Sequence, residues 1–302
     1  MKPLNTICQT HSIQCQSFAD DSQIHSSSSA NDVTTTFDKT QECYDDIKNW
    51  MNINKLKLND DKTELLLIHS SHKILSKELP SSVTIGNSNI SFSKNAKNLG
   101  VTISDTLSLE THINNTCRSA YAELRKIANI RPYLTLHATK VLVCALVLSK
   151  LDYCNSLYYN IPSKVIYKLE KVQNSAARVI FQSKKRDHIT PYLQKLHWLP
   201  VSYRIIYKIA CICFKAYTQP LFPQYLSELL VEYKPNRNLR SSNDSRLLVQ
   251  SNIHAKRYGQ RSFSNAAPKV WNSLPFSVRH SKTLKSFQTA LKTYLFKKAY
   301  CL

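Results

Sequence analysis

The chain has 302 residues, with 41 Lys and Arg against 20 Asp and Glu, and a formal charge of +21. Its 42% hydrophobic content is near the roughly 45% of an ordinary globular domain, so a core can form, and the length allows about two domains. It has 3 glycines, where average usage of about 7% would give roughly 21, so it carries no Gly-rich phosphate loop and no G-x-G-x-x-G; P-loop and dinucleotide-binding enzymes are excluded, and helices are favoured.

In chain order, Ile13 to Phe18 alternates with period two and Ser22 to His25 can return antiparallel, with Ala19-Asp20-Asp21 between them, so a short hairpin is expected with two carboxylates at or beside its tip. Phe37, Tyr44, Ile47 and Met51 predict a helix ending near Trp50-Met51, with Asp38 and Glu42 towards its start. Lys55-Leu56-Lys57-Leu58 alternates, Asn59 to Lys62 reads as a polar turn, and Leu65 to Ile68 as a buried strand. Val83 to Ile85, Ile90 to Phe92 and Leu99 to Ile103 complete a small α+β region. Strand signals then fade. Ile113, Cys117, Ala120, Leu124 and Ile127 mark an amphipathic helix closed by Pro132, and 136–152, apolar nearly all round, predicts a buried helix. Val165, Leu169, Val172, Ala176 and Val179 form a further helical seam, and Ile205 to Tyr217 another helix. Residues 234–265 read as loop or linker, and a last helix runs from about Thr283 to Ala299 with Ser281 as its cap.

The longest apolar run, Val141 to Leu148, falls far short of the roughly 18–20 residues of a membrane span, and Met1 to Thr6 lacks the apolar stretch of a signal peptide. Nine cysteines, an odd number without a C-x-x-C pair, fit a reducing compartment. The expectation is an intracellular protein, nuclear or cytoplasmic, neither secreted nor membrane-bound. Cys211 and Cys213, with His188 and His197 upstream, superficially suggest zinc. Positions i and i+2 of a helix face different ways, which argues against it.

The charge is asymmetric. Residues 1–130 hold 13 basic and 14 acidic side chains; residues 131–302 hold 28 and 6, a net of +22. Such a polycation binds polyanions, nucleic acid above all. Lys164, Lys168, Lys171 and Arg178 lie beside the apolar seam, followed by Lys184, Lys185 and Arg186; together they could present cations to a phosphate backbone, or simply solvate the helix.

Of three Asp-Asp pairs, Asp45-Asp46 sits in a helix and Asp60-Asp61 in a turn, where solvation and local hydrogen bonding account for them. Asp20-Asp21 alone sits at a hairpin apex, where carboxylates can hold divalent metal for phosphoryl chemistry. Phe18-Ala19-Asp20-Asp21 resembles the catalytic box of reverse transcriptases. Asn49-Trp50-Met51, Asn54 to Asn59, Lys62-Thr63-Glu64 and Leu99-Gly100-Val101 are similar in order and spacing to the palm of non-LTR (LINE-type, jockey-like) retrotransposon polymerases. Gly259 to Ser264, Ala266-Ala267-Pro268, Trp271 to Pro275 and Leu291 to Phe296 resemble the carboxyl end of the same polyproteins.

The resemblance implies an α+β chain: a remnant of a polymerase palm (a short antiparallel sheet plus helix) over 1–107, a basic helical thumb or connection over 108–233, and a basic linker with a C-terminal helix over 234–302. It implies that Asp20 and Asp21 bind Mg2+ in a two-metal, RNA-directed DNA polymerase reaction. Lys62 would assist nucleotide incorporation, Leu99 and Gly100 would lie near the primer grip, and RNA template and DNA primer would be the partners. The family places a further metal-binding Asp, the fingers and a nucleotide-pocket segment before the box, and 17 residues precede Phe18. The expectation is therefore a truncated element without autonomous activity. The alternatives are a non-catalytic nucleic-acid-binding protein or a protein-interaction module.

Overall fold

The computed structural model describes residues 2–29, 32–59, 62–69, 82–85, 88–233, 248–249 and 258–301. The chain divides into two units, Met1–Ser108 and Leu109–Leu302. Its secondary structure is mixed, an α+β chain in which every described antiparallel strand pair belongs to the first unit.

The first unit opens with helix α1 (Lys2–Thr10), which the sequence reading did not anticipate. Leu4 and Cys8, one turn apart, are buried on one face, and the Ile13 N–H donates to the Cys8 carbonyl (2.9 Å), turning the chain into the next strand. Strands β1 (Gln14–Phe18) and β2 (Asp21–His25) then pair antiparallel, with Cys15 opposite Ile24 and Phe18 opposite Asp21. Helix α2 (Val33–Ile53) starts earlier and ends later than its apolar spacing predicts. Leu4, Cys8, Ile13, Cys43 and Ile47 form a small core between α1 and α2, and half-buried Cys15 and Ile24 rest on it. The thiols of Cys8 and Cys43 are 3.8 Å apart there, and burial pushes both pKa values up. A second cluster surrounds Tyr44, where the Phe37 and Phe92 rings lie 5.4 Å apart.

Strands β3 (Ser82–Ile85) and β4 (Ser88–Ser91) form a second hairpin, and β5 (Asn95–Asn98) and β6 (Val101–Ser104) a third. Two expected extended segments are corrected. Lys55 lies in the turn after α2, and Leu56 to Leu58 join no strand among the described residues. Leu65 to Ile68 makes one bridge, Leu65 to Phe92, because only scattered main-chain bonds, from Ser93 N–H to Leu65 and from His69 N–H to Asp105, hold it beside the third hairpin. Asp60 and Asp61 lie outside the described residues.

The second unit is helical. Helix α3 (Glu110–Ile130) buries Ile113, Cys117, Ala120, Leu124 and Ile127, the seam its spacing predicts, and ends in a tight turn, Arg131–Tyr133. Helix α4 (Leu136–Val143), a wider turn (Cys144–Leu148) and α5 (Ser149–Asp152) follow without interruption. The expectation of burial all round is wrong for this helix: Leu136, Val141 and Leu146 are exposed, while Thr139, Val143, Val147 and Leu151 face inward. Hydropathy reports content, and only packing against α3 and α6 selects the inner face.

Helix α6 (Ser163–Phe181) packs on α3 and α4 through Leu169, Val172, Ala176 and Ile180. Its C-terminal carbonyls are capped from outside. The Arg131 guanidinium donates to Ile180 O (2.9 Å from Nη2), to Val179 O (3.2 Å from Nε) and to Leu134 O (2.8 Å from Nη1), meeting orphan acceptors with positive charge. Short α7 (Thr190–Lys195) leads to α8 (Val201–Thr218), and α9 (Gln224–Ser227) follows. Residues 234–247 and 250–257 of the expected linker lie outside the described residues, but the segment ends in helix α10 (Phe263–Asn272) rather than in loop. Helices α11 (Phe276–Arg279) and α12 (Leu284–Tyr300) complete the unit.

Helices α10 and α12 pack on α8 around fully buried Trp271 and Phe287 beside Phe214, with ring centroids 4.3 Å apart for Phe214–Phe287 and 5.8 Å for Trp271–Phe287. Burial of each such side chain contributes about 1.5–3 kcal/mol before packing is counted. Thr283, not Ser281, caps α12: its hydroxyl accepts from the Ser286 N–H (3.1 Å) while the Ser286 hydroxyl accepts from the Thr283 N–H.

Candidate functional site

The β1–β2 hairpin turns through two residues, Ala19 and Asp20, with Ala19 in the left-handed region (φ 55°). Asp20 therefore occupies the turn and Asp21 is the first residue of β2. Both carboxylates are exposed. Phe18, opposite Asp21, is 68% exposed, so the ribbon is less apolar in its setting than its composition suggests. Cross-strand side chains stiffen it: Ser17 and Ser22 hydroxyls are 3.1 Å apart, and at the base His25 and Gln14 are 2.7 Å apart. Asn98 Nδ2 donates to Gln23 Oε1 (3.0 Å), joining β2 to the end of β5.

Leu99 and Gly100 form the two-residue turn between β5 and β6. Both have positive φ (45° and 81°), the geometry of a tight hairpin turn in which glycine at the second position carries no Cβ penalty. The Asn98–Gln23 bond thus brings this turn into the neighbourhood of the Asp20-Asp21 hairpin. Lys62 is exposed, and among the described residues its ammonium forms no ion pair or hydrogen bond with either Asp.

Mg2+ takes oxygen ligands and is commonly held by one or two carboxylates with waters and substrate phosphates. Asp20 and Asp21 match that donor chemistry and are open to solvent. They are a partial set: among the described residues no group of three or more His, Cys, Asp or Glu is placed to hold a metal ion. Cys211 and Cys213 are both buried in α8, where desolvation raises their thiol pKa values, and His197 packs on the Phe296 ring at 5.7 Å.

The second unit sorts its expected cationic stripe into free and committed charges. Lys164, Lys184, Lys185 and Arg186 are exposed, and exposed Lys171 sits over the Tyr167 ring at 4.7 Å. Lys168 is committed: its Nζ lies 2.7 Å from Glu110 Oε1 and 2.8 Å from Asn114 Oδ1, and its hydrogen bond and charge hold the Glu110 carboxyl below its ordinary pKa. Arg178 is half-buried, with Nη2 donating to the Asp187 carbonyl (3.4 Å). Asp187 also accepts from the Lys184 N–H (2.8 Å), shaping the Lys184-Lys185-Arg186 loop so that its three side chains point to solvent.

Sequence reasoning missed two charged groups here. Arg204 binds Asp152 by two parallel hydrogen bonds, one of 2.8 Å from Nε to Oδ1, and the other from Nη2 to Oδ2. Glu170 is half-buried and, among the described residues, has no hydrogen-bond or ion-pair partner; burial raises its carboxyl pKa. The sparsity of acids in 131–302 was the available signal, since each of the 6 stands among 28 cations. Among the described residues no helix is long and apolar enough to cross a membrane. No family model, curated protein or solved structure matches the chain.

Proposed function

We propose that this chain carries the carboxyl-terminal part of a non-LTR retrotransposon reverse transcriptase, with part of the palm in the first unit and a basic, nucleic-acid-binding thumb in the second. The observation that carries the reading is the β1–β2 hairpin, which sets Asp20 and Asp21 at its solvent-facing tip and is tied by Gln23 and Asn98 to the Leu99-Gly100 turn. In this reading Asp20 and Asp21 hold divalent metal, which in the intact polymerase would activate the primer 3′-hydroxyl and stabilise the departing pyrophosphate. The Leu99-Gly100 hairpin lies along the primer end, and Lys62 serves the leaving group. The exposed cations of α6 and the 184–186 loop bind the backbone of an RNA template paired with a DNA primer.

Two carboxylates do not position two metal ions, so the 302 residues by themselves are expected not to extend a primer. The test uses the full chain with an RNA–DNA template–primer. Binding should weaken steeply with salt, Mn2+ should broaden NMR signals of the 18–22 turn, and Asp20→Asn with Asp21→Asn should abolish that broadening. Salt-independent association, or broadening unaffected by the double substitution, overturns the reading. Robust incorporation abolished by Asp20→Ala would overturn the expectation of inactivity.

A second reading is favoured by the net +22 of residues 131–302, which requires no catalysis: a nucleic-acid-binding protein whose first unit has no chemical role. It gives the same salt dependence and no Mn2+ effect at the hairpin.

A further inference from the structure

Between α6, α8 and the turn that precedes α6 lies an open groove of about 680 Å3, within the usual range of ligand pockets. Tyr159, Lys164, Tyr167 and Glu170 line it with Ile205 of α8. The lining is mostly apolar and aromatic, yet it includes a carboxylate, Glu170, without a hydrogen-bond or ion-pair partner among the described residues. A half-buried carboxyl left unpaired costs stability, and burial already raises its pKa. Such a group in a groove is satisfied by a ligand that brings donors.

We propose that this groove seats a guanine base of a single-stranded nucleic acid, Glu170 accepting the N1–H and N2–H donors of the base, Tyr159 and Tyr167 providing aromatic surface, and Lys164 and Lys171 meeting the flanking phosphates. This rests on the nucleic-acid reading of the second unit and gives it a base preference. The occupant follows from chemistry on three counts. A carboxylate accepts two parallel hydrogen bonds, and guanine alone among the common bases offers two adjacent donors on its pairing edge. Tyrosine faces with nearby cations are the recurrent surface on which unpaired bases stack. The surrounding charge selects a polyanion over a basic peptide, the other ligand a lone carboxylate would suit, because a cationic peptide is repelled by 28 basic side chains against 6 acidic ones in residues 131–302.

The test measures fluorescence anisotropy of the full chain with labelled 12-nucleotide U oligomers, unmodified or carrying one central G, A, C or inosine. The G oligomer should bind about tenfold more tightly than the A oligomer, with inosine between them because it keeps N1–H and lacks the N2 amine. Glu170→Gln should erase that preference while leaving affinity for the plain U oligomer unchanged or slightly higher. It should not disturb folding, since the carboxyl it replaces has no partner among the described residues, and a circular dichroism melt checks this. Tyr167→Ala should weaken every oligomer. Equal affinity for G and A, or a G preference that survives Glu170→Gln, overturns the proposal alone. Failure to bind even the U oligomer overturns the nucleic-acid reading beneath it. If Glu170→Gln instead abolishes binding of an Arg-rich peptide and leaves the oligomer series untouched, the groove is a protein site and the proposal falls.

Discussion

Gln23 and Asn98 share a hydrogen bond of 3.0 Å that links the hairpin bearing Asp20 and Asp21 to the hairpin ending in Leu99 and Gly100. The two residues are 75 positions apart in the chain, Gln23 exposed and Asn98 half-buried. The bond stabilises a local arrangement more than the fold as a whole. Exposed bonds of this kind contribute about 0.5–1.5 kcal/mol. Gln23→Ala and Asn98→Ala are each expected to raise amide hydrogen exchange in β1–β2 and at the 98–101 turn, with little change in the melting of the second unit. The double variant should be no worse than either single one, because each removes the same bond. Additive effects would show that the two side chains act independently.

The separation of free from committed cations predicts unequal mutational effects along one stripe. Replacing Lys184, Lys185 or Arg186 by Ala should each lower the slope of log affinity against log salt by about 0.7–0.9, as one phosphate contact is lost. Lys168→Ala should leave that slope nearly unchanged, because its ammonium already serves Glu110 and Asn114. A Lys168 variant that lowers the slope as much as the loop variants would contradict the assignment.

Trp271 is fully buried between α8 and α12, within 5.8 Å of the Phe287 ring and 5.4 Å of Tyr217. Trp271→Ala leaves a cavity that the surrounding helices can close only in part, and should cost about 3–5 kcal/mol in urea unfolding of the second unit. Trp271→Phe should cost less, since much of the ring volume remains.

A buried histidine and a half-buried glutamate give the second unit opposing pH dependences. Burial lowers the pKa of His112, so the folded state prefers neutral imidazole, and stability is lost as pH falls through the ordinary histidine value of about 6.5. Burial raises the pKa of Glu170, so the folded state binds its proton more tightly than the unfolded chain. That group adds stability as pH falls and subtracts it once pH exceeds its folded value. Glu170→Gln should therefore raise the melting temperature at pH 7 and steepen the loss of stability as pH falls below about 6.5, where His112 then acts unopposed. Melts of the wild type and the variant at three pH values check both signs.

Helices α3, α6 and α12 were legible because apolar residues recur along their inward faces, and the β1–β2 hairpin because alternation and turn residues coincide. Strand β5 (Asn95–Asn98) is too polar to read as a strand, and Leu99 and Gly100, expected to open an extended segment, form the turn before β6. Helix α1 escaped because its two buried residues, Leu4 and Cys8, are too few to make a pattern beside Asn5, Thr6 and Gln9. The run Leu65-Leu66-Leu67-Ile68 looked like a strand, but apolar content cannot say whether a neighbour offers main-chain partners. The Asp20-Asp21 pair could be located from sequence; the link to Asn98, the engagement of Lys168 by Glu110 and the isolation of Glu170 could not. Each depends on segments brought together only by tertiary packing.

The first unit builds its strands in pairs, and the outer main-chain groups of β1 and β2 have no further strand beside them among the described residues. Any extended segment of suitable length, from another molecule or from added peptide, would find a ready template there. Concentrated preparations should therefore self-associate through cross-strand addition, and a proline placed at Ser17, which stands in a non-hydrogen-bonded pair with Ser22, should keep them dispersed by removing one outward amide from that template.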